Sequence, residues 1–232
     1  TRHCQDQPSE ETGVDRRPRT RSAEGTYHHG ALREALLAAA ESLIEEHGLE
    51  GFTLRECARR AGVSHGAPAH HFGDLRGLLS AFTAQSFKTL NALTTRYRGT
   101  AEPEPFAQLV AAGVAYLDYA LANRARFQLM FRSDRIDFGH PPLHAAATRV
   151  HDQLRECVIA VLSGRSRRPD ELENAAVLAR TTQAWSFVHG FATLYLDNAL
   201  FASQVGGTPE RARRAYVALM LGMRETFEGD LD

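Results

Sequence analysis

Between Thr53 and Arg76 four arginines stand against only Glu56 and Asp74, and His65, His70 and His71 lie among them. Such a cluster can neutralise phosphates and donate hydrogen bonds, the chemistry of nucleic-acid binding. Within it, Phe52-Thr-Leu-Arg-Glu-Cys-Ala-Arg-Arg-Ala-Gly-Val-Ser-His-Gly-Ala-Pro-Ala-His-His-Phe72 reads as two short helices broken at Ala61-Gly62-Val63. That is a helix-turn-helix, which lays its second helix in the major groove of DNA. Leu54, Cys57 and Ala58 pack the first helix across the second, Gly62 frees the backbone for the turn, and Val63 plugs the space between. Ser64 is placed to cap the second helix, whose free N–H groups and positive dipole end then face outward. Gly66, Ala67 and Ala69 are small enough to let it approach the groove floor. Counted from that cap, Pro68 falls at the fourth helical position, where it forfeits a backbone bond, so a distorted or late first turn is expected.

The elements that must position this segment are helical throughout. Leu32, Leu36, Ala39, Leu43 and Ile44 form a helical stripe that Gly48 ends, Thr53 can cap the next helix, and Asp74 can cap a long one to about Arg98. The Pro- and Glu-rich stretch from Gly99 to Pro105 is the best domain boundary. Beyond it, helices are expected over Phe106–Ala122, Arg124–Arg132, Leu143–Leu162, Glu171–Leu200 and, opened by Thr208-Pro209, on to Phe227. The Glu171–Leu200 helix is apolar almost all round: Val177, Thr181, Trp185, Val188 and Ala192 line one face, and Ala184, Phe187, Phe191 and Leu194 the next. Burial on two sides asks for a second subunit. The fold class is all-α, with an N-terminal three-helix reader over residues 27–82 and a helical domain over 103–228. Residues 1–26 are polar and proline-rich, so a disordered basic tail is expected; its run Arg16-Arg17-Pro18-Arg19-Thr20-Arg21 is either solvated or an arm for DNA.

Composition bounds the function. The 27 basic and 28 acidic residues of the 232 leave a net charge of −1, which suits specific binding through few phosphates and not a nucleic-acid coat. Cys4, Cys57 and Cys157 lie far apart without metal-ligand spacing, so a reducing cytoplasm is expected. No apolar run approaches the roughly 20 residues of a membrane span, and no signal-peptide layout opens the chain, so no membrane partner is expected. His144 and His151 are seven apart, too far for one ion, and no cysteine joins them; no metal, cofactor or catalytic cluster is expected.

Tyr27 to about Phe82 resembles the DNA-binding domain of the tetracycline-repressor (TetR) family of bacterial transcription regulators. The family's Tyr-x-His-Phe-like signature aligns with Ala69-His70-His71-Phe72, followed by Gly73-Asp74-Leu75-Arg76-Gly77-Leu78. His71, Phe72 and Leu78 fit; the phosphate-contacting tyrosine is Ala69 and the usual lysine is Leu75, with Arg76 beside it. The resemblance implies base contacts from Arg55, His65 and Ala67 and backbone contacts from Thr53 and His70, with Ser64, Gly66, His71 and Arg76 in the same surface. Arginine suits guanine because it donates two parallel hydrogen bonds to O6 and N7. Trp185-Ser186-Phe187-Val188-His189-Gly190 resembles the Trp-x-x-x-His-Gly signature of one C-terminal subgroup.

By that resemblance the second half binds a small molecule and dimerises, through about 171–200 and 208–227. His189 is either a polar fixed point in an apolar pocket lined by Tyr116, Phe127, Met130, Phe131 and Trp185, or a hydrogen-bonded core histidine. The expected function is a cytoplasmic, nucleoid-associated homodimeric regulator, a repressor by family habit. It would bind a pseudo-palindromic double-stranded operator and be released by an apolar effector. The alternative is an all-α small-molecule binder whose helix-turn-helix has lost DNA, which Ala69 and Leu75 make thinkable.

Overall fold

Apolar residues three and four apart bury one face of each helix in the computed structural model, which describes residues 23–163, 174–200 and 207–229. The described elements are α1 (Ala23–His47), α2 (Leu54–Arg60), α3 (Ala67–Phe72), α4 (Leu75–Thr100), α5 (Pro105–Ala122), α6 (Arg124–Leu129), α7 (Pro141–Ser163), α8 (Asn174–Leu196), α9 (Pro209–Gly222) and α10 (Arg224–Glu228). Among the described residues there is no strand, and the fold is all-α as expected. The stripe of α1 packs Leu36, Ala40, Leu43 and Ile44 against Cys57 of α2 and Leu78 and Phe82 of α4. Burial of each such large side chain is worth about 1.5–3 kcal/mol.

Caps set the boundaries. Thr53 Oγ1 accepts from Glu56 N at 3.2 Å, and Asp74 Oδ1 accepts from Gly77 N at 2.8 Å. Each such cap is worth about 1 kcal/mol. Helix α2 closes on Gly62 at φ +68°, with Gly62 N bonded to Arg59 O and Val63 N to Ala58 O, the double bond pattern that ends a helix on a left-handed glycine.

Helix α4 carries the reader and the rest on one rod. It packs against α1 and α3 and then against α5 and α7. Between α5 and α9 the chains meet at Gly113, where a Cβ would fall 1.8 Å from the Tyr216 hydroxyl. Phe187 and Phe191 of α8 close on the same tyrosine, with ring centroids 5.8 and 5.7 Å away.

Several expectations need correction. Ser64 does not cap the second helix of the motif; α3 starts at Ala67 behind Gly66, with no side-chain cap, and Pro68 sits in its first turn. The proline thus falls where its missing N–H costs nothing, the late start foreseen from Pro68. The last helix is two, broken at Met223, whose N–H is shared between the Leu219 and Met220 carbonyls. Residues 23–26, expected in the tail, begin α1; residues 1–22, with the arginine run, lie outside the described residues, as do 171–173 and 201–206. Pro105–Ala122 is, by length and composition, apolar enough to cross a membrane. Over half of it is buried in the protein, against α4, α7, α8 and α9, so its apolarity serves the core.

Candidate nucleic-acid interface and apolar cavity

The surface around the turn sorts the cationic side chains by what already holds them. Arg59 pairs with Glu56 at 2.8 Å, and Arg60 reaches Glu46 at 2.6 Å and Ser42 at 2.8 Å, bracing α2 on α1. Arg55 is exposed and makes no hydrogen bond or ion pair with the described residues. Its guanidinium is therefore available to a partner. Ser64, His65 and Gly66 are exposed in the turn before α3, Ala67 is half-buried, and His70 is exposed on α3. His71 is half-buried between His70 and Phe72, at centroid distances of 5.5 and 6.3 Å, and Arg33 of α1 lies 5.3 Å over the Phe72 ring. The hydroxyl oxygen of Thr53 accepts from Glu56 N in its cap, which leaves its O–H free to donate.

Arg76 is the exception. The sequence expects it toward phosphate, but its Nη2 donates to the Ile136 carbonyl at 2.9 Å and the Ser133 carbonyl at 3.4 Å. Three further links join the same stretch to the reader: Arg126 pairs with Glu41, Arg135 with Glu50 at 3.0 Å, and Asp137 N donates to Ser80 Oγ at 2.8 Å. Together they form a clasp from α6 and the loop behind it onto α1, the α1–α2 turn and α4. Sequence reasoning missed this clasp, because ion pairs between residues 85 positions apart leave no local pattern.

The stretch that follows α6 lines an apolar cavity through Phe131 and Phe138. Tyr116 of α5 and His189 of α8 are joined by a 2.8 Å hydrogen bond between the phenol oxygen and Nδ1. Around them Phe127, Phe131 and Trp185 place their ring centroids 5.6, 4.4 and 6.1 Å from the imidazole. Burial pushes the His189 pKa below its ordinary 6.5, which favours the neutral ring. Burial likewise pushes Tyr116 up. A cavity of about 210 Å³ opens beside the pair, walled by Tyr116, Phe131 and Trp185 together with Phe87, Val150 and Leu154. A second, of about 370 Å³, lies beyond His189 and is walled by Phe127 and by Leu49 of the reader's turn.

Five of the six expected ligand-binding residues therefore gather. Met130 does not; it is fully buried in the core and lines neither cavity. Phe87, Val150 and Leu154 were missed because they come from α4 and α7, whose approach to α8 no local spacing announces. Cys57 is a buried thiol 3.3 Å from the Leu36 carbonyl, raised by burial to about 11, and Cys157 is buried and raised too. Both are packing residues.

Residues 36–82 match the family profile described as bacterial regulatory proteins of the tetR family, and residues 109–220 match the tetracyclin repressor-like C-terminal domain. The chain belongs to the tetR family of bacterial regulatory proteins. Its relatives include the HTH-type transcriptional regulator BetI of Stenotrophomonas maltophilia (strain R551-3), 35% identical over 123 residues, 52% of this chain and 61% of that one. BetI of Burkholderia mallei (strain NCTC 10229) is 42% identical over 86 residues, 37% of this chain and 44% of that one. The chain thus spans about half the length of the curated relatives it matches. A protein of unknown function from Rhodococcus sp. RHA1 has a similar structure, with a TM-score of 0.68 and 31% identity over 84% of this chain and 95% of that one. The tetR-family regulator PfmR of Thermus thermophilus shares the fold at a TM-score of 0.57 and 22% identity, over 81% of this chain and 97% of that one. In this tetR-family chain the clasp joins the helix-turn-helix domain to the stretch 126–137, which follows α5 and carries Phe127 and Phe131.

Proposed function

We propose that the protein is a cytoplasmic, nucleoid-associated transcriptional repressor that binds a pseudo-palindromic operator as a homodimer and releases it when a small apolar molecule fills the cavity. The observation that carries the reading is the pairing of a helix-turn-helix whose Arg55 is unoccupied with an aromatic cavity whose Phe131–Phe138 wall is tied to the same reader by the Arg76–Ile136 and Ser80–Asp137 hydrogen bonds. Arg55, His65 and Ala67 are assigned to bases, and Thr53, Ser64, Gly66, His70 and His71 to the backbone. Arg76 passes from that group to the clasp.

Dimerisation is proposed through α8 and α9. Helix α8 leaves Ala175, Ala179, Thr182 and Ser186 exposed along one line, with half-buried Gly190 continuing it. A Cβ on Gly190 would meet nothing within 4 Å, so another helix can come close there. Exposed Leu178 and Trp185 flank the line on one side and Leu194 on the other, and Leu219 and Leu221 of α9 are exposed as well. Trp185, His189 and Gly190 also stand at the spacing of the Trp-x-x-x-His-Gly subgroup, to which we assign the C-terminal half.

The test is recovery of bound sequences from genomic fragments, followed by titration of the recovered duplex. A regulator retains one palindromic class, with affinity falling steeply as salt rises. Retention of random fragments only, with intact ligand binding, would favour the small-molecule carrier.

A further inference from the structure

The cavity that the proposed function makes the effector site also limits what the effector can be. Its volume of about 210 Å³ lies below the roughly 300–1,000 Å³ of pockets that hold drug-sized ligands. An apolar cavity of about 150 Å³ takes a benzene, so this one has room for a single ring with a short substituent.

The walls limit the charge. No arginine, lysine, aspartate or glutamate contributes to the lining. The ionisable groups facing the space are Tyr116 from α5 and His151 from α7, with His189 of α8 behind Tyr116. His151 is exposed at the rim and faces Asp152 at 3.8 Å. Burial disfavours the charged form of His189. An anion entering here would lose its hydration and meet no arginine or lysine, and an ammonium would meet no carboxylate in the wall. Ring faces return about 2 kcal/mol to a desolvated cation, less than the several kcal/mol that burying an unpaired ion costs. Phe131 meets Phe87 and Phe127 in T-shaped pairs at 6.5 and 5.3 Å, and the remaining wall includes Ala112, Ala147, Val150, Leu154 and Val188.

One polar feature remains. The Tyr116–His189 pair holds one proton between two heteroatoms, and Thr94 contributes a hydroxyl on the α4 side. A ligand with a single hydroxyl or carbonyl at its edge matches that provision; one with several polar groups does not.

We infer that the ligand of this cavity is an uncharged, single-ring aromatic molecule with one short polar substituent, seated against Phe131 and Trp185 with that substituent toward Tyr116. The inference rests on the cavity being the effector site. Trp185 is the only tryptophan in the chain and forms part of the wall, so its emission reports occupancy directly.

The experiment uses the full-length protein and three probes of matched size and different charge: 2-phenylethanol, phenylacetate and 2-phenylethylammonium. Saturable change in Trp185 emission is expected with 2-phenylethanol, and binding about ten-fold or more weaker with both ions. Ala147→Phe, which fills the chamber from α7, is expected to abolish the 2-phenylethanol response while helical circular dichroism persists. Equal or tighter binding of either ion overturns the inference, and so does binding of none of the three. The wild-type titrations decide the class even where the variant does not fold. Binding to genomic duplexes is measured separately: its loss beside selective binding of 2-phenylethanol counts against the regulator alone. Duplex binding with no probe bound counts against the ligand class alone.

Discussion

Arg126 on α6 is ion-paired with Glu41 on α1, and its guanidinium carbon stands 4.9 Å over the Phe82 ring of α4. The arginine side chain is only 12% exposed while the carboxylate is 41% exposed. One residue along, Phe127 touches the Tyr116–His189 pair. On the proposed function, a ligand that moved α6 would move the reader's first helix.

Arg126→Met keeps the stem over Phe82 and removes the charge. We expect a stability loss of about 1 kcal/mol, because the carboxylate it leaves behind can reach water. The ligand's effect on operator affinity should fall much more, by about 1–3 kcal/mol of coupling. Operator titrations with and without ligand measure this, and unchanged coupling would show that the signal takes another route.

Arg55→Ala should weaken operator binding by about 1–3 kcal/mol and relax preference at one base pair, with dimerisation intact. His70→Ala should weaken binding to all duplexes alike. Arg76→Ala separates the clasp from the interface. A phosphate contact carries about one unit of slope in log affinity against log salt, and the variant should leave that slope unchanged while lowering thermal stability.

His189 makes stability depend on pH. Its pKa is lowered in the folded protein, so the unfolded chain binds more protons below 6.5. The stabilisation is complete above 6.5 and is lost as pH falls through the window below it. Thermal melts from pH 8 to pH 5 should show this loss, and His189→Gln should flatten it; an identical acid limb in both proteins would point to other groups.

Gly77→Ala should destabilise the reader by about 1–3 kcal/mol, because a Cβ there would fall 1.9 Å from the Phe72 carbonyl oxygen, and backbone cannot step aside cheaply. A fall in the urea midpoint without a change in slope checks it.

What the sequence disclosed and what it withheld follow a physical divide. Thr53, Asp74 and Gly62 act within four residues of their own position, and each was legible as a cap or a turn. The misreading at Ser64 is also local: two signals competed, and Pro68, which cannot donate inside a helix, outweighed a hydroxyl that merely favours a cap. The aromatic set around His189 was partly legible because Trp185 and His189 are four apart on one helix and Phe127 and Phe131 are four apart on another stretch. The α4 and α7 walls and the clasp from Arg126 to Glu41 depend on how helices are laid against one another. Nothing in single-helix periodicity encodes that.

The Tyr216 hydroxyl sits where Gly113 has no side chain, one turn before Tyr116 on the same helix. Phe187 and Phe191 of α8 close over that tyrosine, so three helices share a single peg and socket. The cavity wall on α5 and the two helices proposed for dimerisation are consequently one inheritable module. A relative that takes α8 and α9 from this chain must also take its α5 wherever its own has a side chain at the place of Gly113, or the Tyr216 peg will meet a filled socket.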